Sequence, residues 1–155
     1  MKALVTGGGG FLGSHIVRAL LSRNDEVRVL ARGAYPALAS LGAEMHQGDV
    51  RDPLATASAC AGVDVVFHTA AKAGGWGKYR EFAATNVEGT ANVIAGCRAA
   101  NVRALVYTSS PSVVHAHRDI EGEDESLPYP SRYSAHYPRT KAEAERAVIA
   151  ASGDP

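Results

Sequence analysis

The sequence predicts an α/β protein built on a parallel sheet with helices on both faces. Three observations point there. Short apolar runs of strand character alternate with helix-like runs along the whole chain, the pattern of linked β-α units. The strand-like runs lack a clean polar alternation, as strands buried on both sides do. Glycines at 7, 10 and 13 stand where the first strand-like run gives way to the first helical one.

Residues 3–6 (ALVT) predict the first strand, and residues 11–21 the first helix. The helix carries apolar residues at 11, 12, 16, 17, 20 and 21, a helical stripe. Residues 26–30 (EVRVL) predict a second strand and 44–47 a weaker third. Residues 53–61 form a short helix, with Asp52 as N-cap and Pro53 at its first position. Residues 63–68 (VDVVFH) are a fourth strand. Residues 79–100 form a long helix carrying Phe82, Val87, Val93, Ile94 and Cys97. Residues 102–108 (VRALVYT) are a fifth strand, and 135–151 a last helix. The long loop between these two holds the acidic run EGEDES at 121–126, read as a solvated face. No internal repeat is visible.

With 155 residues the chain can form one domain with a real core. Lys+Arg and Asp+Glu both number 16. That balance argues against a broad electrostatic grip on nucleic acid or an anionic membrane. No apolar run approaches the roughly 20 residues of a membrane span. Met1-Lys2 leads directly into a strand, without a signal-peptide layout. A soluble, cytoplasmic protein is expected. Cys60 and Cys97 lie in Ala-rich helical contexts and read as buried small hydrophobes; no metal-ligand spacing is present.

Gly7, Gly10 and Gly13 are spaced Gly-x-x-Gly-x-x-Gly between strand and helix. A tight turn there needs a positive φ, close approach of a diphosphate needs a missing side chain, and close helix–strand packing needs another. The helix N-terminus then offers free N–H groups and partial positive charge to the phosphates. Gly8 and Gly9 read as variable positions without a role. The second strand ends Val29-Leu30-Ala31-Arg32. Ala31 stands where a carboxylate would take the ribose 2′-OH of NAD, and Arg32 follows. This reads as a preference for NADP(H), because a guanidinium binds a 2′-phosphate bidentately. NAD(H), with Arg32 as a plain surface residue, is the alternative. Asp49, in Gly48-Asp49-Val50, can accept from an adenine amino group or help cap the helix near Pro53.

Tyr137 and Lys141 stand four apart at the start of the last helix, on one face. A free phenol titrates near roughly 10. A nearby ammonium lowers that value and suits the group to acid–base work. Lys141 can also bond ribose hydroxyls. Tyr133 is a rival, but four residues on stands Tyr137, not a cation. The fifth strand ends Tyr107-Thr108-Ser109-Ser110-Pro111-Ser112, which delivers hydroxyls to the ligand-binding edge of a parallel sheet without singling one out.

Taken together, residues 6–13 (TGGGGFLG), Gly48-Asp49, residues 68–71 (HTAA), residues 86–90 (NVEGT), Thr108-Ser109-Ser110 and Tyr137-x-x-x-Lys141 resemble the extended short-chain dehydrogenase/reductase superfamily. The resemblance implies a Rossmann-like doubly wound sheet. It implies Ser110, Tyr137 and Lys141 as the catalytic group: substrate-orienting hydroxyl, acid/base and ribose-binding partner. As cofactor-binding residues it implies Gly7, Gly10, Phe11, Leu12, Gly13, Arg32, Asp49, Val50, Ala70, Ala71 and Asn86, with Tyr137 and Lys141. Ala70 and Ala71 would line the cofactor channel, and Asn86 would sit against backbone near the catalytic elements. Residues 70–77 (AAKAGGWG) and 111–115 (PSVVH) are similar to the 3β-hydroxysteroid dehydrogenase-like branch, and within it to bacterial 2-alkyl-3-oxoalkanoate reductases. That implies NADPH-dependent reduction of a β-keto acid. Lys72 or His115 would then meet a substrate carboxylate or simply face solvent. Trp76 would line an acyl groove or pin its own loop.

Family members run about twice this length, so residues 1–155 are expected to be the NAD(P)-binding half, ending one helix past the Tyr/Lys pair. Strand five should then be an open edge, the nicotinamide pocket should lack a wall, and turnover by this length alone should be slow or absent. The resemblance also implies a homodimer through helices 79–100 and 135–151. Two other functions fit the scaffold. One is a nucleotide-sugar epimerase or dehydratase; the other is a non-catalytic dinucleotide sensor.

Overall fold

A computed structural model of the chain describes residues 1–115, 119–124 and 126–153. Glu125 of the acidic run and the last two residues, 154–155, lie outside the described residues. The strands are β1 (Lys2–Thr6), β2 (Glu26–Ala31), β3 (Glu44–Gln47), β4 (Val65–His68) and β5 (Ala104–Tyr107). The helices are α1 (Phe11–Ser22), α2 (Pro36–Ala39), α3 (Pro53–Cys60), α4 (Tyr79–Ala83), α5 (Gly89–Ala99) and α6 (His136–Ala151). A π turn, Ala84–Glu88, joins α4 to α5.

All strand pairs are parallel, in the order β3-β2-β1-β4-β5. The chain winds outward from β1 to β3, then returns to place β4 on the other side of β1. This is the Rossmann-like doubly wound arrangement. The reversal opens a crevice beyond the C-terminal ends of β1 and β4.

The core explains the continuous apolar strands. Successive strand residues face opposite sides. Ala3 and Val5 pack with Val17, Leu20 and Val29 on the α1 side, while Leu4 packs with Leu30, Val50, Val66 and Val93 on the α3–α5 side. Cys60 and Cys97 are buried in the second cluster.

Asp52 caps α3 by accepting from the Leu54 and Ala55 amides at 2.9 and 3.3 Å. At the other end, Arg28 donates to the carbonyls of Ala59 and Ala61, both at 2.8 Å. That satisfies two acceptors a helix C-terminus leaves open.

Three expectations are corrected. The α1 stripe does not bury its first members: Phe11 is 85% exposed and Leu12 45%, while Gly13, Val17 and Leu20 are buried. Helix 79–100 is interrupted by the π turn. Strand 102–108 shortens to β5, which lies at the sheet edge and pairs with β4 alone among the described residues. No described helix is long and apolar enough to cross a membrane.

Candidate functional site

A cleft of about 590 Å³ opens at the C-terminal ends of β1 to β4. It is lined by Gly7, Gly10, Arg32, Asp49, Val50, Ala70 and Ala71 among the sequence-predicted residues. Phe11, Leu12, Gly13, Asn86, Ser110, Tyr137 and Lys141 are not in that lining.

The glycine turn is shaped by sterics. Gly7 has φ +70°, and a Cβ there would stand 2.8 Å from the Ala70 Cα on the neighbouring strand's exit. A Cβ at Gly13 would run into the Gly7 carbonyl oxygen. Gly8 and Gly9, expected to be roleless, are also hemmed in, by side chains and not by backbone. A Cβ on Gly8 would meet Val29 Cγ1 at 2.7 Å, and one on Gly9 would overlap the Tyr35 ring. Tyr35 lies against the turn and lines the cleft.

The N-cap of α1, Gly10, has no side chain to cap with, and the first turn carries no acidic residue. The first intrahelical donor is Ser14 N–H, to Gly10 O at 2.9 Å. The amides of Phe11, Leu12 and Gly13 precede it and so have no intrahelical acceptor. The α1 terminus thus presents three free amides beside the glycine turn, whereas α3 is capped by Asp52.

On the β2–β3 side, buried Ala31 leaves no carboxylate at the strand end, and Arg32 is exposed. Both Asp49 oxygens are engaged by Arg51. Oδ2 accepts from Nε at 3.0 Å and Nη2 at 2.7 Å, and Oδ1 accepts from the Arg51 amide at 3.0 Å. The Arg51 guanidinium holds this carboxyl below its ordinary range. Asp49 therefore does not cap α3; Asp52 does. Val50 is buried against the second core cluster, and its carbonyl accepts from Asn92 at 2.9 Å.

Asn86 sits in the π turn and is 1% exposed. Its Oδ1 accepts from Lys72 N–H at 2.7 Å. Its Nδ2 donates to Lys72 O and to Thr140 Oγ1, both at 3.0 Å. It thus clamps the strand that leaves Ala71 to the first turn of α6. The Lys72 ammonium pairs with Glu81 at 3.3 Å rather than standing free. Trp76 is 94% exposed and pins nothing in its own loop.

Around α6, Lys141 is 3% exposed. Its Nζ donates to the Thr108 carbonyl at 2.6 Å and lies 4.1 Å from the Tyr107 ring centroid. Burial lowers this ammonium to about 8. Tyr137 is half-buried, and its hydroxyl makes no hydrogen bond with a described residue. The rival Tyr133 spends its hydroxyl on Val113 O at 2.9 Å. The hydroxyls after β5 also sort themselves. Ser109 donates to Glu145, while Ser110 caps the turn Pro111–Val113 and stands 2.8 Å from Ser112 Oγ. Glu145 also accepts from Tyr129 at 2.8 Å. Sequence reasoning assigned no role to His68, Thr90, Thr140 or Glu145. The first two lie inside quoted motifs, which was the available signal.

A doubly wound parallel sheet with an uncapped, glycine-built helix terminus at its crevice defines the Rossmann-like class of dinucleotide-binding folds. Within that class, the chain belongs to the 3-beta hydroxysteroid dehydrogenase/isomerase family, which matches residues 4–155. It is 49% identical over 154 residues to a 2-alkyl-3-oxoalkanoate reductase of Stenotrophomonas maltophilia, covering 98% of this chain and 47% of that protein. It is 42% identical over 164 residues to a 3 beta-hydroxysteroid dehydrogenase/Delta 5-->4-isomerase of Mycobacterium tuberculosis, covering 98% and 43%. Among solved structures it resembles UDP-glucose 4-epimerase of Thermus thermophilus in complex with NAD: TM-score 0.82, 30% identity, 97% of this chain and 50% of that one. The chain spans about half the length of the curated relatives it matches.

Proposed function

We propose that residues 1–155 are the cofactor-binding domain of an NADP-dependent oxidoreductase that reduces the ketone of a β-keto acid, or of a sterol-like skeleton, to a secondary alcohol. The observation that carries this reading is the uncapped α1 terminus behind Gly7, Gly10 and Gly13, built where a diphosphate needs bare amides. The turn that shapes this terminus needs glycine: a Cβ at Gly7 would collide with the Ala70 backbone, and one at Gly13 with the Gly7 carbonyl. The amides of Phe11, Leu12 and Gly13 would hold the diphosphate, Arg32 the 2′-phosphate, and Ala70 and Ala71 the channel wall. When bound, the reduced nicotinamide supplies the hydride. Tyr137 then gives its phenolic proton to the developing alkoxide. Its hydroxyl has no protein partner to compete for that proton among the described residues. Lys141, one helical turn on and held at the Thr108 carbonyl, would bond the ribose hydroxyls. Ser110 orients the ketone oxygen. The relative named as a 2-alkyl-3-oxoalkanoate reductase supports the substrate class.

Asp49 is the weakest of the proposed adenine contacts, because Arg51 occupies both of its oxygens. A nucleotide-sugar epimerase using NAD is the second reading, favoured by the solved neighbour that carries NAD. We also infer a homodimer through α4, α5 and α6.

Fluorescence titration with NADPH and NADH tests the cofactor. NADPH should bind about tenfold more tightly, a guanidinium–phosphate contact's share. Equal or tighter NADH binding removes the NADP assignment and favours the epimerase. In a longer form of the protein that turns over, Tyr137→Phe should leave binding intact and lower ketone reduction by about 10² or more. An unchanged rate would remove Tyr137 as the acid, and dinucleotide binding without any ketone reduction would point to the sensor.

A further inference from the structure

Around the residues proposed for chemistry, the interior carries a chain of buried polar groups, joined at one link by the backbone carbonyl of Asn86. His68, at the end of β4, is 1% exposed. Its Nδ1 lies 2.6 Å from Thr6 Oγ1 and its Nε2 2.9 Å from Thr90 Oγ1. Thr90 Oγ1 lies 2.6 Å from Asn86 O. Thr6, Thr90, Asn86 and Thr140 are each no more than 1% exposed.

Proton counting fixes the direction of this chain. A carbonyl oxygen only accepts, so the Thr90 hydroxyl spends its one proton on Asn86 O. Thr90 Oγ1 must then accept from the imidazole, so Nε2 carries hydrogen. With the ring neutral, Nδ1 accepts from the Thr6 hydroxyl. Thr6 Oγ1 in turn accepts from the Ala70 amide at 3.4 Å. At the far end the Asn86 side chain holds both backbone groups of Lys72 and reaches Thr140. Thr140, which accepts from Asn86, has one proton to share between the carbonyls of His136 and Tyr137, at 2.9 and 3.0 Å.

The chain thus begins one residue before Gly7 and ends at the backbone of Tyr137. The imidazole presents an acceptor to one hydroxyl and a donor to the other, on opposite edges of its ring. The π turn belongs to the same device. It carries Asn86, and its Asn86 carbonyl is the one Thr90 bonds.

We propose that His68, as its Nε2–H tautomer, is a positioning residue that holds the Asn86 clamp, and through it the Lys72 strand and the Tyr137 turn, in register with the glycine loop. This rests on the reductase reading for its catalytic consequence, though not for its structural one. His68 touches neither cofactor nor substrate. It acts through Thr90 and Asn86.

Hydrogen exchange and histidine ring NMR on the full chain test the proposal. The wild-type His68 ring should carry its hydrogen on Nε2 at pH 7, assigned by comparison with His68→Gln. A hydrogen on Nδ1 overturns the proposal whatever the variants do. Thr90→Val should speed exchange of the Lys72 amide about tenfold, the effect of a lost buried partner. Thr90→Ser should restore it. The Leu54 amide, held by Asp52 in α3, should not respond and serves as the control for general loosening. Unchanged Lys72 exchange in Thr90→Val also overturns the proposal. In a longer form of the protein that turns over, Thr90→Val should lower kcat for ketone reduction about tenfold while the NADPH Kd stays within about twofold. A chain that binds no dinucleotide, yet shows the Lys72 response, would sink the reductase reading and leave the positioning role standing.

Discussion

A methyl group at Gly13 would meet the Gly7 carbonyl oxygen and the Gly8 Cα, both backbone atoms that cannot turn aside. Gly13→Ala should therefore push α1 off β1, costing about 1–3 kcal/mol by overpacking and weakening dinucleotide binding. Gly75→Ala is the matched control. No atom lies within 4 Å of its Cβ position, so its effect should stay within about 0.5 kcal/mol. Thermal unfolding and NADPH titration of the two variants check this. His68 makes a second prediction. Burial, with the Lys141 charge behind it, lowers its pKa to about 3 from an ordinary 6.5. Tyr107 also faces the ring, at 5.7 Å between centroids, and Thr6 and Thr90 face it as neutral hydroxyls. The unfolded state thus binds one more proton than the folded state between those values. Stability is full above pH 6.5 and falls as pH falls toward 3, by up to about 1.4 kcal/mol per pH unit. Urea unfolding from pH 7 to pH 4 should show a steeper decline for wild type than for His68→Gln. Parallel curves would mean the ring is not held neutral. At this scale the sequence was legible where chemistry is local. The spacing of Gly7, Gly10 and Gly13 is a short-range signal. The constraint on Gly8 and Gly9 comes from Val29 and Tyr35, a strand and a loop away, and no spacing within the turn reveals it.

Among the elements, α3 was the easiest to read, because its start is written in two adjacent residues. Asp52→Ala removes the acceptor of the Leu54 and Ala55 amides and should cost about 1 kcal/mol. Asp52→Asn should recover most of it, and the comparison of their melting temperatures decides whether the cap or the charge matters. The strands were legible for a different reason. β1, β2 and β4 are buried on both faces, so most of their positions are apolar. What could not be read is structure imposed from a distance. The π turn within helix 79–100 carries Asn86, whose side chain bonds Lys72 and Thr140, partners that lie far along the chain and that no local propensity reveals. The exposure of Phe11 and Leu12 was equally hidden: the residues of α1 that meet the core are Gly13, Val17 and Leu20, so the buried stripe begins later than periodicity suggests. The serines after β5 were ambiguous as a group. They separate once Glu145, on α6, accepts from Ser109 and leaves Ser110 to Ser112.

At the scale of the whole molecule, the doubly wound order puts β5 at an edge of the sheet, beside a depression lined by Ile94, Val102, Leu105, Val148 and Ala151. Val106 in this strand is 48% exposed. An edge strand with unpaired amides and apolar side chains is a template for pairing with another chain. The net charge gives no counterweight, since 16 basic and 16 acidic residues leave no long-range repulsion between copies. Residues 1–155 expressed alone should therefore associate beyond the proposed dimer as concentration rises. Val106→Lys places a buried-edge cost on that pairing without touching α4, α5 or α6. Light scattering across a concentration series should show the larger species decline in Val106→Lys while a dimer persists, with the melting temperature shifted by no more than a surface substitution allows, about 0.5 kcal/mol. Loss of the dimer as well would place the interface on β5 and exclude the helices. Unchanged large species would acquit the edge and direct attention to exposed Phe11, Leu54 and Trp76.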